Sequence, residues 1–297
     1  MKFITNRYII IAIFFIILII LVNSKLNFWI ETEQYNASWS ENFKNTCRDN
    51  IEEINDESYT KACEEAWSTD QTYQVSFYTL FHAGFVYELH NLNIYSFFIV
   101  ILPIACFVCF QIRYASKNFL TRESYEKFKK KLFRKSYAPL LIFPILLLYV
   151  FMVCYLNSET FEVANKVWMS STTQNVFIFI IAYILNILLY MSTYIHIFLT
   201  IARKKHNPVV AVLISFLIVI VIELFLEIVV NNLFFINIFN SGFGIQFNII
   251  NSFTFNDQYG MITTLLFGLF WCLLSGIIMR VSYRDKEKFI VDCEKDK

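Results

Sequence analysis

The chain has 297 residues, of which 57% are hydrophobic, with a formal net charge of only +1 and a mean hydropathy of +0.51. It is too apolar for a soluble globular domain. Phe is extreme at 33 copies while Gly (6) and Pro (4) are scarce, a bias that an AT-rich genome would favour.

A bilayer core takes about 20 apolar residues in helix. Six windows approach or reach that length, at 8–23, 95–112, 137–156, 174–201, 208–230 and 259–279. The expected fold class is therefore an all-α integral membrane protein with six transmembrane helices. The first window follows Lys2 and Arg7 as a signal peptide would. No Ala-x-Ala-like cleavage site follows it, so 1–23 is read as an N-terminus and uncleaved signal anchor.

Residues 24–94 form a long acidic segment with interspersed aromatics, and Ser40–Ala66 reads as short amphipathic helices. This is expected to be a folded extracytoplasmic region. Cys47 and Cys63 both lie in it, and a disulfide between them and two free thiols are the alternatives. Asn36-Ala-Ser38 matches the glycosylation acceptor pattern, which is common by chance. His82 and His90 flank Glu88, but no metal site is expected there or elsewhere. Cys106 and Cys109, in the second span, read as small packing residues.

Residues 113–136 stand out between two apolar walls. They hold nine Lys/Arg against two acids, Glu123 and Glu126. Within them Tyr125, Phe128 and Leu132 recur at i, i+3 and i+7, with Phe133 beside them and Lys around most of the remaining wheel. The spacing predicts a short amphipathic helix at the membrane surface, capped by Thr121 with Glu123 in its first turn. Its aromatic stripe is expected to face the bilayer or a partner.

Spans three (137–156) and four (174–201) follow, His196 being read as an interfacial hydrogen-bonding residue. In the fifth span Glu223 and Glu227 share one helix face, followed by Asn231. Counted from Pro208, Glu227 falls at the outer boundary. Both carboxylates therefore either reach interfacial water or form a proton or cation relay. Residues 231–258 are too apolar for a free loop and hold no Lys or Arg. They are expected to re-enter the outer leaflet as short helices broken at Gly242 and Gly244. In the sixth span Gly260, Thr264, Gly268, Cys272 and Gly276 recur every four residues. That small-residue seam packs either within one bundle or at a subunit interface. The tail 280–297 is basic.

With the N-terminus inside, the inner segments hold twenty basic residues and the outer segments five. The positive-inside rule then puts both termini in the cytoplasm. No phosphate-binding Gly-x-x-x-x-Gly-Lys-Ser/Thr loop, His-Glu-x-x-His, Gly-x-Ser-x-Gly or paired catalytic carboxylates occur. An enzyme is not expected, nor a nucleic-acid partner.

Six spans, both termini inside, a basic amphipathic segment after span two and a broken apolar stretch before span six resemble the permease subunit of type-2 ATP-binding-cassette exporters. The segment FLTRESYEKFKKKLFRKSY looks similar to that family's coupling helix. The resemblance implies a multi-pass protein of the bacterial plasma membrane, surrounded by lipid and working as a dimer with a second permease chain. A separate nucleotide-binding ATPase subunit would hold ATP and magnesium, and this chain would bind no cofactor. Arg122, Tyr125, Phe128, Lys129 and Leu132 would dock that subunit. The cargo would be amphipathic or hydrophobic, such as a peptide or peptide antibiotic. The rival reading is a non-transporting immunity or sensor protein that binds a ligand through its acidic outer region.

Overall fold

The computed structural model describes residues 2–50, 63, 75–81, 93–115, 124–159, 176–249 and 261–295, and every regular element among them is helical. The helices are α1 (Lys2–Asn50), α2 (Phe77–Phe81), α3 (Asn93–Arg113), α4 (Tyr125–Tyr137) and α5 (Ile142–Leu156). They continue with α6 (Val176–Ala202), α7 (Pro208–Phe225), α8 (Met261–Ser282) and α9 (Lys286–Lys295). Among the described residues, three helical stretches are long and apolar enough to cross a membrane: Ile180–Ala202, Pro208–Phe239 and Ile262–Ser282. Shorter apolar helices occupy Val100–Arg113 and Pro144–Leu156.

Two elements depart from the sequence expectation. The first helix does not stop near 23 with short helices resuming at Ser40; α1 runs unbroken for 49 residues. The reason is local, because residues 2–50 contain neither Gly nor Pro and nothing interrupts the ladder. The fifth span likewise does not end at 230. Asn207 caps its start, its side-chain oxygen accepting from the Val209 and Val210 amides, with Pro208 pre-set for the first turn. The helix then widens into a π-helix over Leu226–Ile236 and closes with Asn237–Phe239. Asn240 ends it in the left-handed region at φ 49°, which Asn tolerates better than most residues.

The chain divides into two compact units. One comprises Ile19–Glu88 and Leu148–Trp168. Cys47 and Cys63 are bonded in it, closing a loop 16 residues long in sequence. The Tyr149 hydroxyl donates to Asn23 Oδ1 at 2.9 Å, and Phe77 packs edge-on against Phe151.

The other unit comprises Met1–Leu18, Leu89–Leu147 and Met169–Lys297. Its centre is α6, whose Tyr183, Ile187, Tyr190, Met191, Tyr194, Ile195 and Phe198 are all buried. Helix α8 lies along α6 through its small-residue face. A methyl group added to Gly268 would stand 3.2 Å from Tyr190 Cε2 and 3.3 Å from Asn186 Oδ1; one added to Gly276 would stand 3.2 Å from His196 Cε1. Thr264 is buried in the same seam. The seam is thus filled by a helix of the same chain; Gly260 lies outside the described residues. Helix α7 turns Ala211, Ser215 and Val219 inward, while its Leu213, Leu217 and Val221 and α8's Ile262, Leu266 and Ile277 are bare. Such broad apolar faces suit hydrocarbon far better than water.

Because the seam leaves no room, Gly268→Leu is expected to lower the unfolding midpoint of the detergent-solubilised protein, by overpacking worth about 1–3 kcal/mol. Ile277→Ala, on the bare face of the same helix, should change it by less than about 0.5 kcal/mol. Equal shifts from the two would contradict the seam.

Candidate functional site

The basic segment does form an amphipathic helix, but its apolar stripe is already covered. Ser124, not Thr121, caps α4, its hydroxyl accepting from the Lys127 amide, and Glu126 supplies the acid of the first turn. Thr121, Arg122 and Glu123 lie outside the described residues. Tyr125, Phe128, Leu132 and Ser136 are buried. The expectation that this stripe faces the bilayer or a partner is therefore corrected. Its covering comes from the C-terminal segment, which the sequence reading treated as a plain basic tail.

That segment folds because Asp285 caps α9, its carboxylate accepting from the Glu287 and Lys288 amides at 2.9 and 3.1 Å. The cap aims Phe289, fully buried, at α4: its ring centroid lies 5.5 Å from that of Tyr125 and 5.7 Å from that of Phe128. Burying a ring of this size stabilises by about 1.5–3 kcal/mol, and aromatic pairs add roughly 0.5–1.5 kcal/mol.

Tyr283, at the end of α8, joins the parts. Its carbonyl accepts from the Tyr125 hydroxyl at 2.9 Å, and its own hydroxyl donates to the Leu199 carbonyl in the last turn of α6 at 2.9 Å. Its ring packs edge-on against Phe133. The Leu199 carbonyl also accepts the Arg203 amide at 3.1 Å, so Tyr283 adds a second donor to it and anchors α4 to the last turn of α6. One residue therefore links α4 to the ends of two membrane-length helices.

A charge pair closes the far side. Arg203, just past α6 and 4% exposed, places Nη2 3.2 Å from Asp292 Oδ2 on α9. Its Nη1 donates to Ser282 Oγ at 3.3 Å, while His206 bonds the Arg203 carbonyl. Removing one member of so buried a pair leaves an uncompensated charge, which costs more than the intact pair contributes.

Lys129 is also engaged within the chain, pairing with Glu126 and lying 5.0 Å from the Tyr125 ring centroid. Lys135 covers Phe107 of α3. What α4 offers outward is the opposite face, where Lys127, Lys130, Lys131 and Arg134 are all exposed.

The other singled-out residues fall elsewhere. His196 is buried between the Tyr137 hydroxyl and Ser275 Oγ; since Ser275 donates to the Trp271 carbonyl, His196 Nδ1 carries the proton toward it. This histidine ties α8 to α6 through Ser275 and is hydrogen-bonded on both ring nitrogens. Glu223 and Glu227 are the sixteenth and twentieth of the 32 residues of a helical stretch that continues past 230 to Phe239. No three His, Cys, Asp or Glu converge as metal ligands among the described residues.

Phe289→Ala should destabilise by about 3–5 kcal/mol and expose α4, seen as faster trypsin cleavage at its lysines. Tyr283→Phe removes one hydrogen bond and should cost about 1 kcal/mol, with a smaller gain in cleavage. Unchanged cleavage in Phe289→Ala would contradict the clasp. Compared with family models, with curated proteins and with solved structures, the chain matches none.

Proposed function

We propose that this chain is the membrane permease subunit of an ATP-driven exporter, working as a dimer and moving an amphipathic or hydrophobic cargo such as a peptide. The observation that carries the reading is the two-sidedness of α4. One face is fixed by Tyr125 and Phe128 to Tyr283 and Phe289, and through Tyr283 to the ends of α6 and α8. The other presents exposed cations, Lys127, Lys130, Lys131 and Arg134. A push on that face reaches the two helices through packed rings and two hydrogen bonds, with no flexible linker between. Coupling of that kind is what a separate ATPase needs in order to move a path it does not line.

The docking face in this reading is Lys127, Lys130, Lys131 and Arg134. Tyr125, Phe128, Lys129 and Leu132 become the residues that hold the helix in place. The excess of basic residues at this end puts α4 and α9 on the cytoplasmic side, where ATP is available. The partner subunit carries ATP and magnesium, and this chain carries no nucleotide.

The test is co-purification with a readout of ATP hydrolysis. Wild-type permease isolated from its native membranes should bring down an ATPase. The triple reversal Lys127→Glu, Lys130→Glu, Arg134→Glu should lose it while keeping the wild-type unfolding midpoint. Wild-type protein that elutes without ATP hydrolysis would favour the rival reading, a membrane immunity or sensor protein acting through its disulfide-bonded unit.

A further inference from the structure

Between Asn207 and Met279 the chain contains no Lys, Arg or His, yet Glu223 and Glu227 sit midway along its most apolar helix. Carboxylates at such a position are expensive in hydrocarbon and call for a specific partner. Their surroundings are built. After Asn240 the chain turns back and descends beside the helix it has just left, through a 3-10 helix at Gly242–Phe247. From Phe239 to Glu223 is about 24 Å of helix, a distance ten further residues can retrace. At the end of the return the Ile249 amide donates to Glu223 Oε2 at 2.9 Å, and Asn248 Nδ2 donates to Glu227 Oε2 at 3.0 Å. Asn231 Nδ2 approaches Glu227 Oε1 at 3.4 Å.

Two further features hold this geometry. A methyl on Gly244 would fall 2.5 Å from Asn231 Cα, so only Gly lets the returning segment lie this close. In a continuous α-helix Asn231 would also be rotated about 80° from Glu223. The wider π turn that begins at Leu226 opposes this drift and keeps the three polar residues on one side.

Asn231 and Asn248 are 3% and 6% exposed, and the Oδ1 atom of each lacks a hydrogen-bond partner. Each of those oxygens is covalently fixed beside the nitrogen that meets Glu227. Two carboxylates and two orphaned amide oxygens thus belong to side chains gathered around Glu227 from both limbs of the turn, a donor set made of oxygen alone. Oxygen donors of this kind suit hard cations such as sodium or calcium. We propose that Glu223, Glu227, Asn231 and Asn248 form a binding site for a small hard metal cation, which pins the returning segment to the middle of the Pro208–Phe239 stretch.

The test uses the full-length chain purified in detergent and does not involve an ATPase, so its outcome is independent of the exporter reading. Unfolding midpoints are measured with sodium chloride or calcium chloride as probe, against choline chloride at equal ionic strength, and binding is measured by equilibrium dialysis. One of the two cations should raise the midpoint saturably, and Glu227→Gln should weaken its binding by tenfold or more, roughly the loss that disturbing a metal site brings. Should Glu227→Gln fail to fold, Asn248→Asp serves instead: its added carboxylate should lower the half-saturating concentration. The proposal is overturned if neither cation differs from choline, if Glu227→Gln binds as the wild type does, or if Asn248→Asp leaves the half-saturating concentration unchanged.

Discussion

A short helix with an apolar stripe and a mainly basic back does not rest alone; something must cover Tyr125 and Phe128. Here the covering is Phe289 and Tyr283 from the chain's own C-terminal segment, and much of the larger unit's order follows from that choice. Covering the stripe fixes α9 against α4. Placing Tyr283 there gives the Leu199 carbonyl, in the last turn of α6, a second donor beside the Arg203 amide. Drawing α9 inward also brings Asp292 to Arg203, a guanidinium too buried to stand without a countercharge. The exposed cations of α4 are the remainder of this arrangement, held on a helix that cannot roll.

The sequence exposed some of this and hid the rest, for physical reasons. The helix at 125–137 was legible because a three- and seven-residue aromatic spacing among lysines has few other solutions. What the stripe would meet was not legible, since periodicity reveals an apolar face and not its neighbour. The neighbour had a faint signal: Asp285 followed four residues later by Phe289 is a cap ahead of an apolar position, within a tail that otherwise reads as charge. The unbroken α1 could have been read from the absence of Gly and Pro in 2–50, yet polarity beyond residue 23 suggested a boundary that the backbone does not need. The small-residue face of α8 was plain in sequence, but only the structure identifies α6 as the helix that fills it.

The fifth span shows the opposite case. Its hydropathy falls off near Asn231 and Asn232, so a window of about 20 residues stops there. The backbone continues, first as a π-helix and then to Asn240, and this moves Glu223 and Glu227 from the edge of an element to its middle. The aromatics that made 231–258 look too apolar for a loop have a task among the described residues. Phe235, Phe243, Phe247 and Phe267 pack ring on ring, and Trp271 donates to the Phe247 carbonyl, holding the return against α8. The unit thus has a basic, ring-clasped end and an acidic, amide-lined turn, and α6, α7 and α8 run between them.

The account rests on the clasp between α4 and α9, and the most direct measurement is a cross-link in native membranes. With the other cysteines replaced, Phe128→Cys and Phe289→Cys should be joined within one chain by a short bifunctional thiol reagent filling the space of the two rings, whose centroids stand 5.7 Å apart. The account predicts rapid cross-linking in that pair and none between Phe128→Cys and a cysteine at Val291, which is exposed on α9. Failure of the first pair to cross-link, or equal cross-linking in both, would contradict it.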